Sequence, residues 1–385
     1  MRLVSVLHSA QLSGAELNVH RLAVHRRGVE VSFVLLQNGP LAQLMDDTQV
    51  PHILLGSADG AKVHRGSALV DKLRLLANLM RQGWVLSRHP VSQSSDVVSV
   101  HSFKSAVVGV VAAKIRRKPL VWSVHDRVSA DYYGRSTAAI GRALIGRLSN
   151  GIIVNSQATA DALGPVDRPV LICPPSVVMS QRTRGAEVRG RLRVVVLGRL
   201  SPWKGQEVAL SAFGAALRGT DSELVIAGGP LFGEDAYAAG LVGMAESLGI
   251  SDQVTFTGHL TDVGSLLSDA DVLVHASVLP EPFGAVVIEG MLYGCCVIAS
   301  AAGGPTEVVQ DGINGLLYPP GDVNRLASLL DRAFRDRDML KSLAVAGRST
   351  AEQFDVRRLA NGADAWLADV VAGHAAGVTN LMPTR

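Results

Sequence analysis

The chain of 385 residues has little cysteine. Its three cysteines, Cys173 and the adjacent Cys295 and Cys296, form neither a disulfide framework nor the C-x-x-C spacing of a zinc or redox site, so a reducing compartment is expected. A secretory leader is missing too: "MRLVSVLHSAQ" has no basic segment followed by a long apolar core. No uninterrupted apolar run reaches the roughly 18 residues of a membrane span. Together these absences predict a cytoplasmic protein without a transmembrane segment. Charge of one sign is not in excess. A net charge of +3 from 37 basic and 34 acidic residues argues against a disordered chain and against one that coats nucleic acid. Neither half opens with G-x-G-x-x-G, which disfavours a dehydrogenase. What remains is 48% apolar and rich in glycine, an enzyme-like globular profile too long for one hydrophobic core.

Apolar, β-branched runs alternate with stretches of helical length. "RLVSVL", "VEVSFVLL", "DVVSVHS", "PLVWSVHD" and "GIIVNS" read as buried parallel strands, each followed by a helix. They predict a doubly wound α/β domain over residues 1–172. Residues 173–191, "CPPSVVMSQRTRGAEVRGR", are rich in proline and arginine without a sustained period, and read as an interdomain linker. A second series, "LRVVVLG", "SELVIAGG", "QVTFTG", "ADVLVHAS" and "CCVIAS", predicts another Rossmann-like domain over 192–354. The amphipathic stretch within 355–385 has no evident strand after it and is expected to pack back on the first domain. Two such domains facing each other across a cleft would set ligands at the carboxyl ends of both sheets.

The motifs fall after strands. "LVHASVLPEPFGAVVIEG" reads as strand, loop and a helix starting near Phe283 or Gly284, whose free amides and dipole make an anion site. Glu281 precedes that turn and Glu289 lies two turns along. A carboxylate is a poor phosphate ligand but a good acceptor for sugar hydroxyls, so one glutamate is assigned to a sugar and the other to a ribose. The alternative from spacing alone is that Glu281 caps the helix and Glu289 is merely exposed. After "RLRVVVLG", Arg199 and Lys204 are two cations that suit a diphosphate, Arg as a fork and Lys as a point charge; the alternative is ordinary surface charge.

With these residues in place the chain resembles the family-four retaining glycosyltransferases of GT-B fold, over nearly its whole length. "EPFGAVVIE" is similar to that family's E-x7-E motif, "GRLSPWKG" to its G-R-L…K-G segment, and "GGPTEVVQDGINGLLYPPGD" to the stretch that follows. "LSGAELNVHRLA" resembles the glycine-rich loop near the start, with Ser13 where the family often has a second glycine. "WSVHD" resembles the strand end that bears the active-site histidine. The resemblance implies that Arg199 and Lys204 neutralise a leaving nucleotide diphosphate, helped by Gly14 and the amides near Phe283, Gly284 and Ala285. It assigns Glu281 to the donor sugar, Glu289 to the ribose, the chain around His259 to the nucleobase, and His125 to the sugar's C6 side and the incoming acceptor. It implies a nucleotide-sugar donor, no metal and no other cofactor.

Other features carry two readings. Asp269 and Asp271 in "SDADV" have a metal-binding D-x-D spacing, but their place between helix and strand favours capping and packing. His101 either faces the acceptor side or is an exposed turn histidine. The basic "KIRRKP" run either touches anionic lipid or ends a solvated helix, the latter preferred. "SALVDKLRLLANLMRQGWVLSR" is either a membrane-surface helix or a core-packed amphipathic one, the latter again preferred. Scarce lysine beside arginine suggests a GC-rich bacterial genome. The preferred acceptor is a small soluble molecule such as an aminoglycoside, favoured if cationic by Asp126 and Asp131; a cell-envelope lipid or polysaccharide is the alternative. A UDP-sugar is preferred to a GDP-sugar as donor. More distant readings are a nucleotide-sugar 2-epimerase and an inactive nucleotide-sugar-binding subunit.

Overall fold

A computed structural model of the chain describes residues 1–56, 69–180, 191–230, 233–260 and 262–383. It forms two compact units, Met1–Ser176 with the chain from Val356 onward, and Val177–Asp355. The middle of the expected linker, residues 181–190, lies outside the described residues.

The first unit is built on β1 (Arg2–Leu7), β2 (Glu30–Leu35), β3 (His52–Leu54), β4 (Val97–Val100), β5 (Leu120–Val124), β6 (Gly151–Val154) and β7 (Val170–Ile172). The second carries β8 (Arg193–Leu197), β9 (Glu223–Ala227), β10 (Val254–Gly258), β11 (Val272–His275), β12 (Cys296–Ser300) and β13 (Leu316–Tyr318). A last strand, β14 (Val378–Asn380), joins the first sheet beside β7. Sheet orders are β14-β7-β6-β5-β4-β1-β2-β3 and β10-β9-β8-β11-β12-β13, and every pairing is parallel. Within each unit the order therefore runs third, second, first, fourth, fifth, sixth, as in doubly wound nucleotide-binding sheets. The direction of winding reverses between β1 and β4, and again between β8 and β11. Loops leaving the carboxyl ends of those strands are splayed apart there, which is where a ligand finds room.

Every strand read from an apolar run is present, and all but the edge strand β10 are largely buried, as a parallel sheet covered on both faces requires. The carboxy-terminal stretch departs from expectation in one respect: its helix, Val356–Ala372, is followed by a strand, β14. The helix belongs to the first unit, where Leu359, Ala363, Trp366 and Leu367 join the core formed by Leu3, Leu22, Val31 and Phe33.

Candidate functional site

In the second unit the chain leaves β8 into a single 3₁₀ turn, Pro202–Lys204, and then the helix Gln206–Leu217. This turn sets two cations on one indole. Lys204 Nζ lies 4.4 Å from the centre of the Trp203 ring and the Arg199 guanidinium 5.9 Å from it. Gln206 Nε2 donates to the Arg199 carbonyl at 2.9 Å, and Ser201 Oγ to Glu234 Oε1 at 2.6 Å. The loop is thus fixed by a bond within itself and by one to Glu234, at the start of the helix Asp235–Ser247.

The neighbouring loop, after β11, supplies the counter-charge. Glu281 is buried, and three groups converge on its Oε1: Lys204 Nζ at 2.5 Å, His275 Nε2 at 3.0 Å, and the Ser277 hydroxyl. Burial alone would push this carboxyl up; Lys204 and His275 outweigh it and hold it well below the usual carboxylate range. The first glutamate of the E-x7-E motif and the lysine of the G-R-L…K-G segment are therefore one ion pair. Capping is excluded as the role of Glu281, because the helix Ala285–Leu292 begins on Gly284 without a side-chain cap. Its leading amides keep the donor character of an open helix start. The Phe283 ring is core, edge-on to Phe354 at 5.9 Å.

The "GG" of the following motif has a steric cause. At Gly303, with φ +72°, a Cβ would lie 2.2 Å from the Glu281 carbonyl oxygen, and at Gly304 one would lie 2.2 Å from Phe283 Cα. Gly304 N donates to that same Glu281 carbonyl at 3.0 Å. Only glycine lets the β12 loop press against the backbone that carries Glu281. Glu289 is half-buried on the second turn of its helix, and His259 is exposed just beyond β10.

In the first unit, β4 and β5 end at His101 and His125, whose rings meet through Nδ1 and Nε2 at 2.9 Å. His101 Nε2 lies 2.8 Å from Ser5 Oγ and 3.3 Å from Ser99 Oγ. His101 is thus not an exposed turn residue but the middle of a polar chain from β1 to β5. Burial lowers the pKa of His125 to about 4, and burial together with His125 lowers that of His101 well below the ordinary value. Both rings are neutral at pH 7, and one proton lies between them. The unfolded chain takes up protons near pH 6.5 that the folded chain refuses. Stability is therefore full above about pH 6.5 and falls as pH drops toward about 4. Urea midpoints should decline more steeply across that window in the wild type than in His101→Asn/His125→Asn; equal slopes would show that the pair does not titrate this way.

Gly14 opens the helix Gly14–His25 with open space around it, while Ser13, in extended conformation, donates to Glu16 instead of capping. Ser13 needs no left-handed backbone, so a second glycine is not required there. Asp126 is exposed and accepts from Tyr133 at 3.3 Å; the side chain of Asp131 lies outside those described. Asp269 pairs with Arg193 at 3.3 Å, and Asp271 accepts from Arg193 N at 2.7 Å, a packing role for both. Among the described residues no group of three or more His, Cys, Asp or Glu is placed to hold a metal ion, and no helix is long and apolar enough to cross a membrane. Sequence reasoning missed His275, Ser277 and Trp203. A histidine and a serine at the end of an otherwise apolar strand were the available signal for the first two.

Two doubly wound parallel sheets, the second with cations and an uncapped helix start at its strand ends, have the architecture of the GT-B glycosyltransferases. Residues 12–177 match the model of "Glycosyltransferase Family 4" and residues 180–350 that of "Glycosyl transferases group 1". The chain belongs to this family of group 1, family-four glycosyltransferases. Among curated relatives, D-inositol 3-phosphate glycosyltransferase of Actinosynnema mirum is 28% identical over 80% of each chain. The enzyme of the same name from Mycobacterium tuberculosis is 29% identical over 83% of this chain and 71% of its own. Among solved structures, Anabaena HepE, crystallised with UDP and glucose, is 26% identical with a TM-score of 0.82, covering 96% of this chain and 100% of that one. Sucrose-phosphate synthase of Thermosynechococcus elongatus shares the fold, with a TM-score of 0.79 at 19% identity over 97% and 100% of the two chains.

Proposed function

We propose that this chain is a retaining, metal-independent transferase that moves a hexosyl or N-acetylhexosaminyl group from a UDP-sugar to a hydroxyl of a small cyclitol-type acceptor, aminoglycosides included, in the cytoplasm. The observation that carries the donor half is the Lys204–Glu281 pair beside Arg199 and an uncapped helix. Breaking a sugar–phosphate bond develops negative charge on the diphosphate and positive charge on the ring. Arg199, Lys204 and the amides near Gly284 and Ala285, with Gly14, meet the negative part in a preorganised way. Three contacts gather on Glu281 Oε1, so Oε2 is the oxygen offered to a donor hydroxyl. Glu289 takes the ribose and the chain at His259 the base. His125, oriented by His101, takes the C6 side, and Asp126 the acceptor. Among the described residues none of the carboxylates assigned to the site has the role of attacking the anomeric carbon, so the acceptor enters on the face the phosphate leaves, and that phosphate takes its proton. The UDP bound in HepE and the D-inositol 3-phosphate after which the relatives are named support UDP and a cyclitol.

A second reading, a membrane-borne acceptor, is favoured by the exposed apolar side chains of the helix Leu69–Arg88. Labelled UDP-glucose and UDP-N-acetylglucosamine, offered with cyclitols, aminoglycosides or lipid acceptors, separate the two. Transfer should give an α-linked product and survive EDTA. Loss of activity in EDTA that Mg²⁺ or Mn²⁺ restores, or an inverted anomer, would overturn the reading.

A further inference from the structure

The helix Leu69–Arg88 has two apolar faces, and only one is used. Its inner face packs on the helix Phe103–Arg116 so closely that a Cβ at Gly83 would lie 2.7 Å from the Val108 carbonyl. Leu79 and Leu86 on that side are buried. On the outer side Val70, Leu73, Met80 and Trp84 are 55%, 56%, 50% and 46% exposed. Leu73 and Met80 are seven apart, and with Trp84 they share one stripe of the helix. The neighbouring helix adds Phe103, beside Leu76, and at its other end Ile115, 37% and 51% exposed. Between the two helices Leu76, Leu79 and Phe103 line an open groove of about 220 Å³, with Lys72 and Lys104 at its margin.

The charge around this stripe is mostly of one sign, the exception being Asp71, which pairs with Arg74 at 3.8 Å. Arg74, Arg81 and Arg88 recur every seven residues and so run alongside it, Arg88 lying over the Trp84 ring at 3.7 Å. The second helix ends in Lys114, Arg116, Arg117 and Lys118. Segments 69–88 and 103–118 together hold nine basic residues and one acidic, Asp71, in a chain whose whole net charge is +3. Large apolar side chains standing in water beside a concentration of arginine and lysine match the chemistry of an anionic bilayer, with apolar groups entering the acyl boundary and cations meeting the headgroups. The preferred core-packed amphipathic helix is present, packed through Leu79 and Leu86, and its outer side carries exposed apolar side chains among the charged ones.

We propose that the surface formed by Leu69–Arg88 and Phe103–Arg116 docks the protein peripherally on anionic lipid bilayers, with the groove at Leu76 and Phe103 receiving an acyl chain. The proposal is independent of the acceptor, because vesicle binding needs no turnover. The full chain is sedimented with vesicles of phosphatidylcholine alone or mixed with phosphatidylglycerol, and tryptophan emission is followed. Binding should require phosphatidylglycerol, weaken with salt and shift emission to the blue; Trp84→Phe should bind yet lose most of the shift. Leu73→Glu/Met80→Glu and Arg74→Glu/Arg81→Glu should each lower the partition coefficient about tenfold or more. Because these positions are exposed, UDP affinity should stay at the wild-type value and report an intact fold. No binding to the anionic vesicles, or equal binding by all variants, overturns the proposal. So does a doubled mass in solution that Leu73→Glu/Met80→Glu abolishes, since the face would then join two copies of the chain.

Discussion

Lys204→Ala is expected to lower kcat about a hundredfold or more. A preorganised cation facing the charge that builds on the departing diphosphate contributes roughly 3 kcal/mol to the transition state, and that figure corresponds to such a factor. Lys204 also acts on its neighbour, because its ammonium, 2.5 Å from Glu281 Oε1, is the principal charge that keeps this buried carboxyl ionised. Without it, Glu281 retains only His275 and Ser277, and its burial then favours the protonated form, which accepts a donor hydroxyl less well. The loss in kcat should therefore appear with weaker binding of UDP and of the sugar, while uridine affinity holds. Arg199→Ala should weaken UDP in the same way. Because Lys204 and Glu281 act as a unit, Lys204→Ala/Glu281→Gln should be little worse than the poorer single variant; groups in direct contact are strongly non-additive. Fully multiplicative losses would separate the two residues. Near wild-type turnover by Lys204→Ala would make it a surface charge and misplace the phosphate site.

That pairing illustrates what could be read from the chain and what could not. Strands of four residues or more, such as Val97–Val100 and Val272–His275, show themselves as apolar runs, and the motif residues fall where those runs end. The three-residue strands His52–Leu54, Val170–Ile172, Leu316–Tyr318 and Val378–Asn380 are too short to carry a period, and tertiary pairing alone makes them strands. The residue types proposed for the site were legible because a diphosphate attracts cations and sugar hydroxyls are good partners for carboxylates. Partnerships were not: Lys204 and Glu281 stand 77 residues apart, and His101 and His125 stand 24 apart. Only sheet order brings the ends of β8 and β11, or of β4 and β5, side by side. His275, the last residue of an apolar strand, signals a polar strand end but not which way its ring faces.

Asp364→Ala is expected to destabilise the first unit by about 3–5 kcal/mol, a large share of what a domain of this kind possesses. Asp364 sits on the carboxy-terminal helix and meets Arg26, at the end of the helix Gly14–His25, at 3.2 Å with both side chains largely buried. Burial raises the Asp364 pKa and lowers that of Arg26, so each charge depends on the other to remain buried. Removing the carboxylate strands a guanidinium beneath the helix that carries Trp366 and Leu367 into the core. The pair joins segments more than three hundred residues apart in sequence, so its loss should free the carboxy-terminal helix before the rest of the unit unfolds. Hydrogen exchange should show early exposure over Val356–Ala372 in Asp364→Ala, ahead of the strands of the first sheet. The reason for the loss is the uncompensated charge, not the missing attraction. Arg26→Met/Asp364→Leu, which replaces both ions by apolar groups of similar volume, should therefore recover most of the stability. If the double variant is as unstable as Asp364→Ala, the pair matters for its geometry and this electrostatic account is wrong; if Asp364→Ala unfolds at the wild-type denaturant midpoint, the pair is not holding the helix at all.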